Sequence, residues 1–151
     1  MKKIIAILLL FTIFSCAGYE PIFSTKNFNF YIDEIEIASI DKISKKIEKK
    51  LKHYRLKKTD QKSYNLKINS TKKQSIVSKD SKGDPLIYEL EIKSNIEIIS
   101  DSKKTTNLSF IEKFNFNNQS NKFELNQYKK KIEENLINII NEKLIIKIQS
   151  I

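Results

Sequence analysis

Residues 88–98 read Tyr-Glu-Leu-Glu-Ile-Lys-Ser-Asn-Ile-Glu-Ile, with an apolar side chain at every second position except Ser94. Because successive side chains of a strand point to opposite faces, this alternation predicts a strand with one buried face. Shorter stretches of the same kind lie on either side, at residues 64–68 and 108–116. Turn-forming residues at 79–85 and 100–104 separate the three stretches. The sequence therefore predicts an antiparallel meander.

A period of three to four residues replaces the alternation upstream of the meander. One helical face collects the apolar residues Ile40, Ile43, Ile47, Leu51 and Tyr54. This spacing predicts an amphipathic helix over residues 41–54, with Ser39 or Asp41 as its N-cap. Basic residues and His53 near its end suit the negative end of the helix dipole. We therefore interpret His53 as a surface residue.

A second amphipathic helix is predicted near the end of the chain. The sequence Asn121-Lys122-Phe123-Glu124 imitates a capping box. One apolar face follows it to about Asn141: Leu125, Tyr128, Ile132, Leu136, Ile139 and Ile140. Lysines 129–131, Glu133 and Glu134 fall on the polar face. The apolar run at 144–148 is too short for periodicity to distinguish helix from strand.

The first strand is predicted at residues 28–37, where apolar positions alternate with a bulge or change of face near Tyr31 and Ile32. The elements then follow the order β-α-β-β-β-α. This order predicts an α+β fold in which two amphipathic helices pack on one face of a single antiparallel or mixed sheet of about four strands. The domain would span residues 27–151, and its sheet would leave the opposite face and an edge for a partner.

The composition excludes most kinds of active site. The 151 residues suit one domain, and 28 Lys plus Arg against 18 Asp plus Glu give a net charge of +10. Two glycines do not supply a phosphate-binding loop, and one cysteine with one histidine forms neither a zinc site nor a Cys/His catalytic pair. Arg55 is the only arginine, whereas proteins that read nucleic acid favour arginine. We therefore expect no catalytic residues, no metal and no nucleic-acid partner.

The N-terminus has the form of a secretory signal. Lys2 and Lys3 precede an uncharged, almost wholly apolar run from Ile4 to Phe14, and the small Ser15 follows. This run is shorter than the ~20 residues that a membrane-spanning helix needs. A cleaved signal peptide at residues 1–15 is therefore predicted. An ordinary signal peptide without lipid, or a buried N-terminal strand, is the alternative.

The residues Ile13-Phe14-Ser15-Cys16 resemble a bacterial lipobox. The resemblance implies a covalent lipid on Cys16, in the form of a diacylglycerol thioether, with cleavage before Cys16 and acylation of the new amine. Two or more acyl chains anchor a protein stably to a membrane. Ala17, and not aspartate, follows the cysteine, which in lipoproteins of this kind implies sorting to the outer membrane. Residues 16–26 then form a lipidated tether.

Lysines near the predicted strand ends and turns are the candidate ligand-binding residues. They form three groups: Lys72 with Lys73, Lys79 with Lys82, and Lys103 with Lys104. Gathered at one end of the sheet, they would meet phosphate groups as point charges. An ordinary solvated surface is the alternative. No cofactor is expected besides the lipid on Cys16.

The stretch Cys16-Ala17-Gly18-Tyr19-Glu20-Pro21-Ile22-Phe23 resembles the start of the LptE family of lipopolysaccharide-assembly lipoproteins. The order of elements is also similar over nearly the whole mature chain, including a terminal helix at residues 128–140. The resemblance implies a lipid-anchored protein on the periplasmic side of the outer membrane of a Gram-negative bacterium. Such a protein plugs a β-barrel translocon (LptD-like), helps it assemble, and binds lipopolysaccharide on its way to the cell surface.

Two other functions stay open. The chain could be an adaptor lipoprotein of another envelope complex, which never binds lipopolysaccharide. It could also be a secreted basic domain that binds an anionic polymer without a lipid, in which case binding should weaken steeply with salt.

Overall fold

The alternating stretch at residues 88–98 lies within the third strand of a four-stranded sheet. The computed structural model describes residues 28–38, 41–57 and 61–151. The strands are β1 (Phe30–Ile37), β2 (Lys62–Lys79), β3 (Pro85–Ser100) and β4 (Thr105–Asn117), and their order in the sheet is the same as their order in the chain. The helices are α1 (Lys42–Leu51), which continues as a 3-10 turn at Lys52–Arg55, and α2 (Lys122–Gln149). The predicted α+β class and the order β-α-β-β-β-α are confirmed. The predicted signal peptide, Cys16 and the tether lie outside the described residues.

The sheet is mixed. β1 and β2 are parallel, and α1 lies between them in the chain, as a parallel connection requires. β2, β3 and β4 form the predicted antiparallel meander, in which Ile96 lies opposite both Ile68 and Leu108. The bulge predicted in β1 is present as a shift of register between Ile32 and Ile35.

β2 is longer than its apolar alternation indicates. The alternation ends at Ile68, yet the strand continues to Lys79 because β3 pairs with it along its whole length. Backbone hydrogen bonds, and not side-chain burial, define its second half. Lys72 and Lys73 therefore lie within a strand. The prediction that they lie near a strand end is wrong.

Both helices begin at the predicted kind of residue. The Asp41 side chain accepts a hydrogen bond from the Ile43 backbone N–H, and the Asn121 side chain accepts from the N–H groups of Phe123 and Glu124. α1 is shorter than predicted because its last turn tightens into the 3-10 form. Residues 144–148 continue α2, so the open choice between helix and strand is settled as helix.

The core lies between the two helices and one face of the sheet. From the helices it takes Ile43, Ile47, Leu51, Leu125, Ile132, Leu136, Ile137, Ile140, Leu144, Ile145 and Ile148. The sheet contributes residues that include Phe30, Ile32, Tyr64, Leu66, Ile68, Leu90, Ile92, Ile96, Ile98 and Phe116. The predicted apolar face of α2 is partly wrong, because Ile137 is buried whereas Tyr128 and Ile139 are exposed.

Neither helix of the described residues packs on the other face of the sheet, and we call it the open face. It presents the odd-numbered residues of 65–75 in β2, 87–99 in β3 and 105–117 in β4, which alternate with the helix-facing positions. Within these three ranges the buried side chains, such as Leu66, Ile92 and Ile96, lie at even positions. The domain therefore has two distinct broad surfaces, the open face and the outer surface of the helices.

Candidate functional site: lysines and the exposed apolar tip

Glu133 of α2 joins three elements of the fold. Its carboxylate lies 2.5 Å from the ammonium group of Lys46 in α1 and 2.6 Å from that of Lys72 in β2. Burial raises the pKa of the Glu133 carboxyl, but the hydrogen bonds and charges of Lys46 and Lys72 outweigh it, so the net pKa is lowered. The prediction that Glu133 lies on the polar face of α2 is wrong, since the residue is only 8% exposed. Lys72 has a structural partner inside the domain.

Lys73 lies on the open face, opposite Glu91 of β3. The carboxylate of Glu91 also lies 2.6 Å from the ammonium group of Lys113, which lies 3.4 Å from the carboxylate of Glu89 as well. The hydrogen bond from Lys113 lowers the pKa of Glu91, and Lys73 adds a smaller charge effect in the same direction. Lys72 and Lys73 are therefore neighbours in sequence that project from opposite faces of the sheet.

The other four candidate lysines lie at the two ends of the meander. Lys79 and Lys82 are at the β2–β3 turn, where the Asp80 carboxylate accepts hydrogen bonds from the backbone N–H groups of Lys82 and Asp84 and Gly83 has a φ of 91°. This positive φ suits glycine.

Lys103 and Lys104 are at the β3–β4 turn. The Lys103 N–H donates to the Ser100 carbonyl, and the φ of Lys103 is 59°, an uncommon value for a residue other than glycine.

The six lysines do not form one site, which corrects the expectation that they gather at one end of the sheet. The turn with Lys79 and Lys82 and the turn with Lys103 and Lys104 are separated by β3, whose 16 residues span about 50 Å. An antiparallel meander necessarily places successive turns at opposite ends of its strands. The ligand-binding role of each lysine stays a prediction.

Several exposed apolar side chains lie toward the end of the sheet that holds the β2–β3 turn, and sequence reasoning did not identify them. We call this region the distal tip and define it by Ile76, Val77, Leu86, Phe114 and Phe123, which are 47%, 52%, 49%, 44% and 70% exposed. The register places Ile76 of β2 opposite Tyr88 of β3, which in turn lies opposite Phe116 of β4. Leu90 and Phe114 form the next helix-facing pair, and the Asn118 backbone N–H donates to the Leu86 carbonyl.

Lysines border the distal tip. Lys79 and Lys82 flank it at the turn, and Lys122 precedes Phe123 at the start of α2. Lys129 lies over the rings of Tyr88 and Phe116, 5.2 and 5.9 Å from their centroids. Among the described ion pairs, none involves Lys79, Lys82 or Lys122. The tip thus combines apolar surface with cations that are not neutralised by those pairs.

Charge is divided unequally between the two broad surfaces. α1 contains five lysines and one glutamate, and α2 contains six lysines and four glutamates, so the helices carry 11 − 5 = +6. On the open face four lysines and four glutamates balance in number: Lys67, Lys73, Lys93 and Lys113 against Glu36, Glu89, Glu91 and Glu97. The basic excess of the domain therefore lies on its helical side.

The described part of the domain has shallow surface pockets but no cluster of metal ligands. No group of three or more His, Cys, Asp or Glu side chains is placed to hold a metal ion in residues 28–38, 41–57 and 61–151. A hollow of about 320 Å³ lies at the sheet end beside Phe30, Lys62, Tyr64 and Ile148. Another, of about 280 Å³, lies between the helices beside His53, Tyr54 and Glu142. Burial, and then the charge of Glu142, raise the pKa of Tyr54.

The fold is similar to those of three solved lipoproteins. Rare lipoprotein B from Shewanella oneidensis is 12% identical, with a TM-score of 0.55 over 78% of this chain and 93% of that chain. A minor lipoprotein from Acinetobacter baumannii is 12% identical, with a TM-score of 0.58 over 82% and 94%. Lipoprotein B from Nitrosomonas europaea is 11% identical, with a TM-score of 0.57 over 88% and 91%. No family model matches the chain, and no curated protein matches it.

At this level of identity the similarity establishes the fold alone. This chain covers more than nine-tenths of each of the three structures, so the whole domain and not a fragment is shared. None of the helices in the described part of the chain is both long and apolar enough to cross a membrane. The architecture of this chain is therefore one that lipoproteins of three bacteria also use.

Proposed function

We propose that this protein is an outer-membrane lipoprotein, lipid-anchored through Cys16, that plugs a β-barrel translocon (LptD-like) and assists lipopolysaccharide transport and assembly. Two independent features support the lipoprotein part of this proposal. Residues 13–16 have the pattern of a lipidation signal, and the domain that follows has the fold of three lipoproteins. Its place is the periplasmic side of the outer membrane.

The distal tip is the observation that supports lipopolysaccharide as the ligand. Lipopolysaccharide offers phosphate groups beside acyl chains, so its receptor needs cations next to apolar surface. Lys79 and Lys82 supply ammonium groups beside the exposed side chains of Ile76 and Leu86. A lysine near an anionic lipid surface contributes about 1 kcal/mol, and apolar burial adds ~25 cal/mol per Å². Binding of this kind requires no covalent step.

The charge of the helices favours one rival function, the binding of an anionic polymer. A surface of net charge +6 attracts any polyanion, whatever its chemistry. The two functions differ in their dependence on salt concentration. Polyanion binding is driven by the release of counterions and weakens as salt is added, whereas apolar contacts do not depend on counterion release.

A binding titration at two salt concentrations distinguishes the two functions. The full-length protein, purified in detergent with its anchor, is titrated with fluorescent lipopolysaccharide and with heparin at 50 and 300 mM NaCl. We expect lipopolysaccharide affinity to fall less than tenfold between the two conditions and heparin affinity to fall much further. Equal, steep losses for both ligands would support the polyanion binder and contradict the lipopolysaccharide proposal.

A further inference from the structure

We propose that the end of the sheet at which the described domain begins lies against the anionic headgroups of the leaflet that holds the lipid on Cys16. We call it the anchor end and define it by Lys62 and Ser63 at the start of β2, the β3–β4 turn at residues 100–104, and Ile151. This inference rests on the lipid anchor of the proposed function and adds which surface of the domain faces the membrane. The path of the chain, the charge of this end and a pocket in its surface support it.

The start of the described domain and the β3–β4 turn lie at the same end of the sheet. Phe30 at the start of β1 pairs with Lys62 at the start of β2, whose backbone N–H donates to the Asn29 carbonyl at 3.0 Å. Tyr64 of β2 in turn pairs with Ser100 at the end of β3. The β2–β3 turn and the distal tip therefore lie at the other end of β3, about 50 Å away.

The length of chain between Cys16 and the domain limits how far the anchor end can lie from the membrane. Phe28 follows Cys16 by 28 − 16 = 12 residues. Twelve residues span at most about 42 Å, even when fully extended. A lipid on Cys16 therefore keeps the anchor end near the headgroups at a high effective concentration. Contacts that are too weak to capture free lipid are sufficient under this condition.

The anchor end carries an excess of exposed cations. Lys62, Lys103 and Lys104 are exposed, and none of them takes part in the ion pairs of the described residues. Asp101 is the one acidic side chain among the residues that define this end, which leaves 3 − 1 = +2. Its carboxylate already accepts a hydrogen bond from the Ser63 backbone N–H at 3.2 Å. The three ammonium groups are therefore available to headgroup phosphates.

A surface pocket of about 270 Å³ at the anchor end offers a place for one headgroup. Lys62 and Lys104 line it, together with Ser100 and Ser102, whose hydroxyl groups lie 2.9 Å apart. Ammonium and hydroxyl groups both donate hydrogen bonds to phosphate oxygens. Ile151, which is 39% exposed, lines the same pocket. An apolar side chain beside phosphate-binding groups suits a lipid better than a free anion.

Fluorescence quenching in vesicles tests this orientation. The full-length lipidated protein is reconstituted into vesicles of phosphatidylethanolamine and phosphatidylglycerol that contain a lipid with a nitroxide on its headgroup. A fluorescent amino acid replaces Ser102 in the β3–β4 turn or Ser81 in the β2–β3 turn. The two positions are matched because both are exposed serines in turns between antiparallel strands.

Two charge-reversal variants separate the phosphate contact from the effect of the tether. K62E/K104E reverses the two cations of the pocket, and K79E/K82E makes the same change of charge at the distal tip as a control. Vesicles of phosphatidylcholine, which carry no net charge, are the lipid control. Thermal unfolding of each variant verifies that it is folded, and co-sedimentation with the vesicles verifies that it is anchored.

We expect the nitroxide to quench the probe at Ser102 at least threefold more strongly than the probe at Ser81. K62E/K104E should reduce the quenching at Ser102 at least twofold, as should the phosphatidylcholine vesicles, whereas K79E/K82E should leave it unchanged.

The outcomes that would overturn the inference are distinct from those that would overturn the proposed function. Equal quenching at Ser102 and Ser81, in protein that co-sediments with the vesicles, would overturn the orientation and leave the lipid anchor intact. Strong quenching at Ser102 that persists in K62E/K104E would overturn the phosphate contact, because the tether alone would then hold this end. A wild-type protein without lipid on Cys16 that does not co-sediment would overturn the proposed function and the inference with it.

Discussion

The ammonium group of Lys72 in β2 lies 2.6 Å from the carboxylate of Glu133 in α2. The same carboxylate binds Lys46 of α1, so one glutamate connects the sheet to both helices. Its side chain is 11% exposed, whereas those of the two lysines are 46% and 43% exposed. The two ammonium groups therefore keep much of their hydration, whereas the buried carboxylate needs them to offset the cost of its burial. Loss of Glu133 should therefore lower stability more than loss of either lysine.

Replacing Glu133 with glutamine should lower the free energy of unfolding by about 1–2 kcal/mol. A hydrogen bond to a charged group contributes ~1.5–3 kcal/mol when buried, and the partial exposure of both lysines reduces this. Urea denaturation of E133Q against wild type measures the change. E134Q, at the exposed neighbouring position, is the matched control and should change stability by less than ~0.5 kcal/mol. Equal stabilities for E133Q and E134Q would show that the ion pairs contribute nothing.

Stability should also depend on pH through Glu133. Its pKa is lowered in the folded protein, whereas an unfolded glutamate has a pKa of ~4.3. The stabilisation is therefore fully present above about pH 5 and is lost as the pH falls through the lowered folded pKa. The difference in unfolding free energy between wild type and E133Q should be constant from pH 7 to pH 5 and shrink below about pH 4. A difference that grows on acidification would contradict this assignment.

The place of Glu133 could not be predicted from periodicity. Its position on the polar or apolar face of α2 depends on a rotation of the helix by less than half a turn, which the sheet and α1 set. The same rotation buries Ile137 and exposes Ile139. The element order and the caps at Asp41 and Asn121 were predictable because they depend on local hydrogen bonds and period alone. The pattern of apolar residues contains no information on how the elements pack against one another.

Ser44 is expected to be essential to the contact between α1 and β2. Its hydroxyl oxygen accepts a hydrogen bond from the backbone N–H of Ser70 at 3.0 Å, in a buried position beyond the end of β1. S44A leaves that N–H without a partner, at a cost of about 1–3 kcal/mol. Thermal or urea unfolding measures the cost, with S78A near the end of β2 as a control that should be nearly neutral. An unchanged midpoint for S44A would show that the Ser70 N–H finds another acceptor.

The two lysine turns should differ in their contribution to lipopolysaccharide binding. K79E/K82E places repulsive charges beside the distal tip and should weaken binding at least tenfold, because two favourable contacts of about 1 kcal/mol each are lost and ~1.4 kcal/mol is tenfold. K103E/K104E makes the same change of charge at the opposite end of the sheet and should alter affinity less than threefold. Equilibrium titration with fluorescent lipopolysaccharide measures both. Equal losses for the two variants would mean that only net charge matters.

The candidate site was only partly accessible to sequence reasoning. The lysines were visible in the sequence, but their distribution over two faces and two ends follows from the length of β2 and β3. Phe114 alternates with Lys113 and Asn115 like a buried position, yet 44% of it is exposed, whereas Phe116 on the same face of the same edge strand is buried. An alternating pattern indicates which face a residue occupies and not whether that face is covered there.

The most direct test of the central claim is affinity purification of the tagged full-length protein from its native envelope, with mass spectrometry of the N-terminal peptide and of all partners. We predict a triacylated Cys16 at the N-terminus and a stoichiometric outer-membrane β-barrel. Cys16→Ala is the matched control, which should release the protein from the membrane fraction. An unmodified N-terminus together with the absence of a barrel partner would contradict the account.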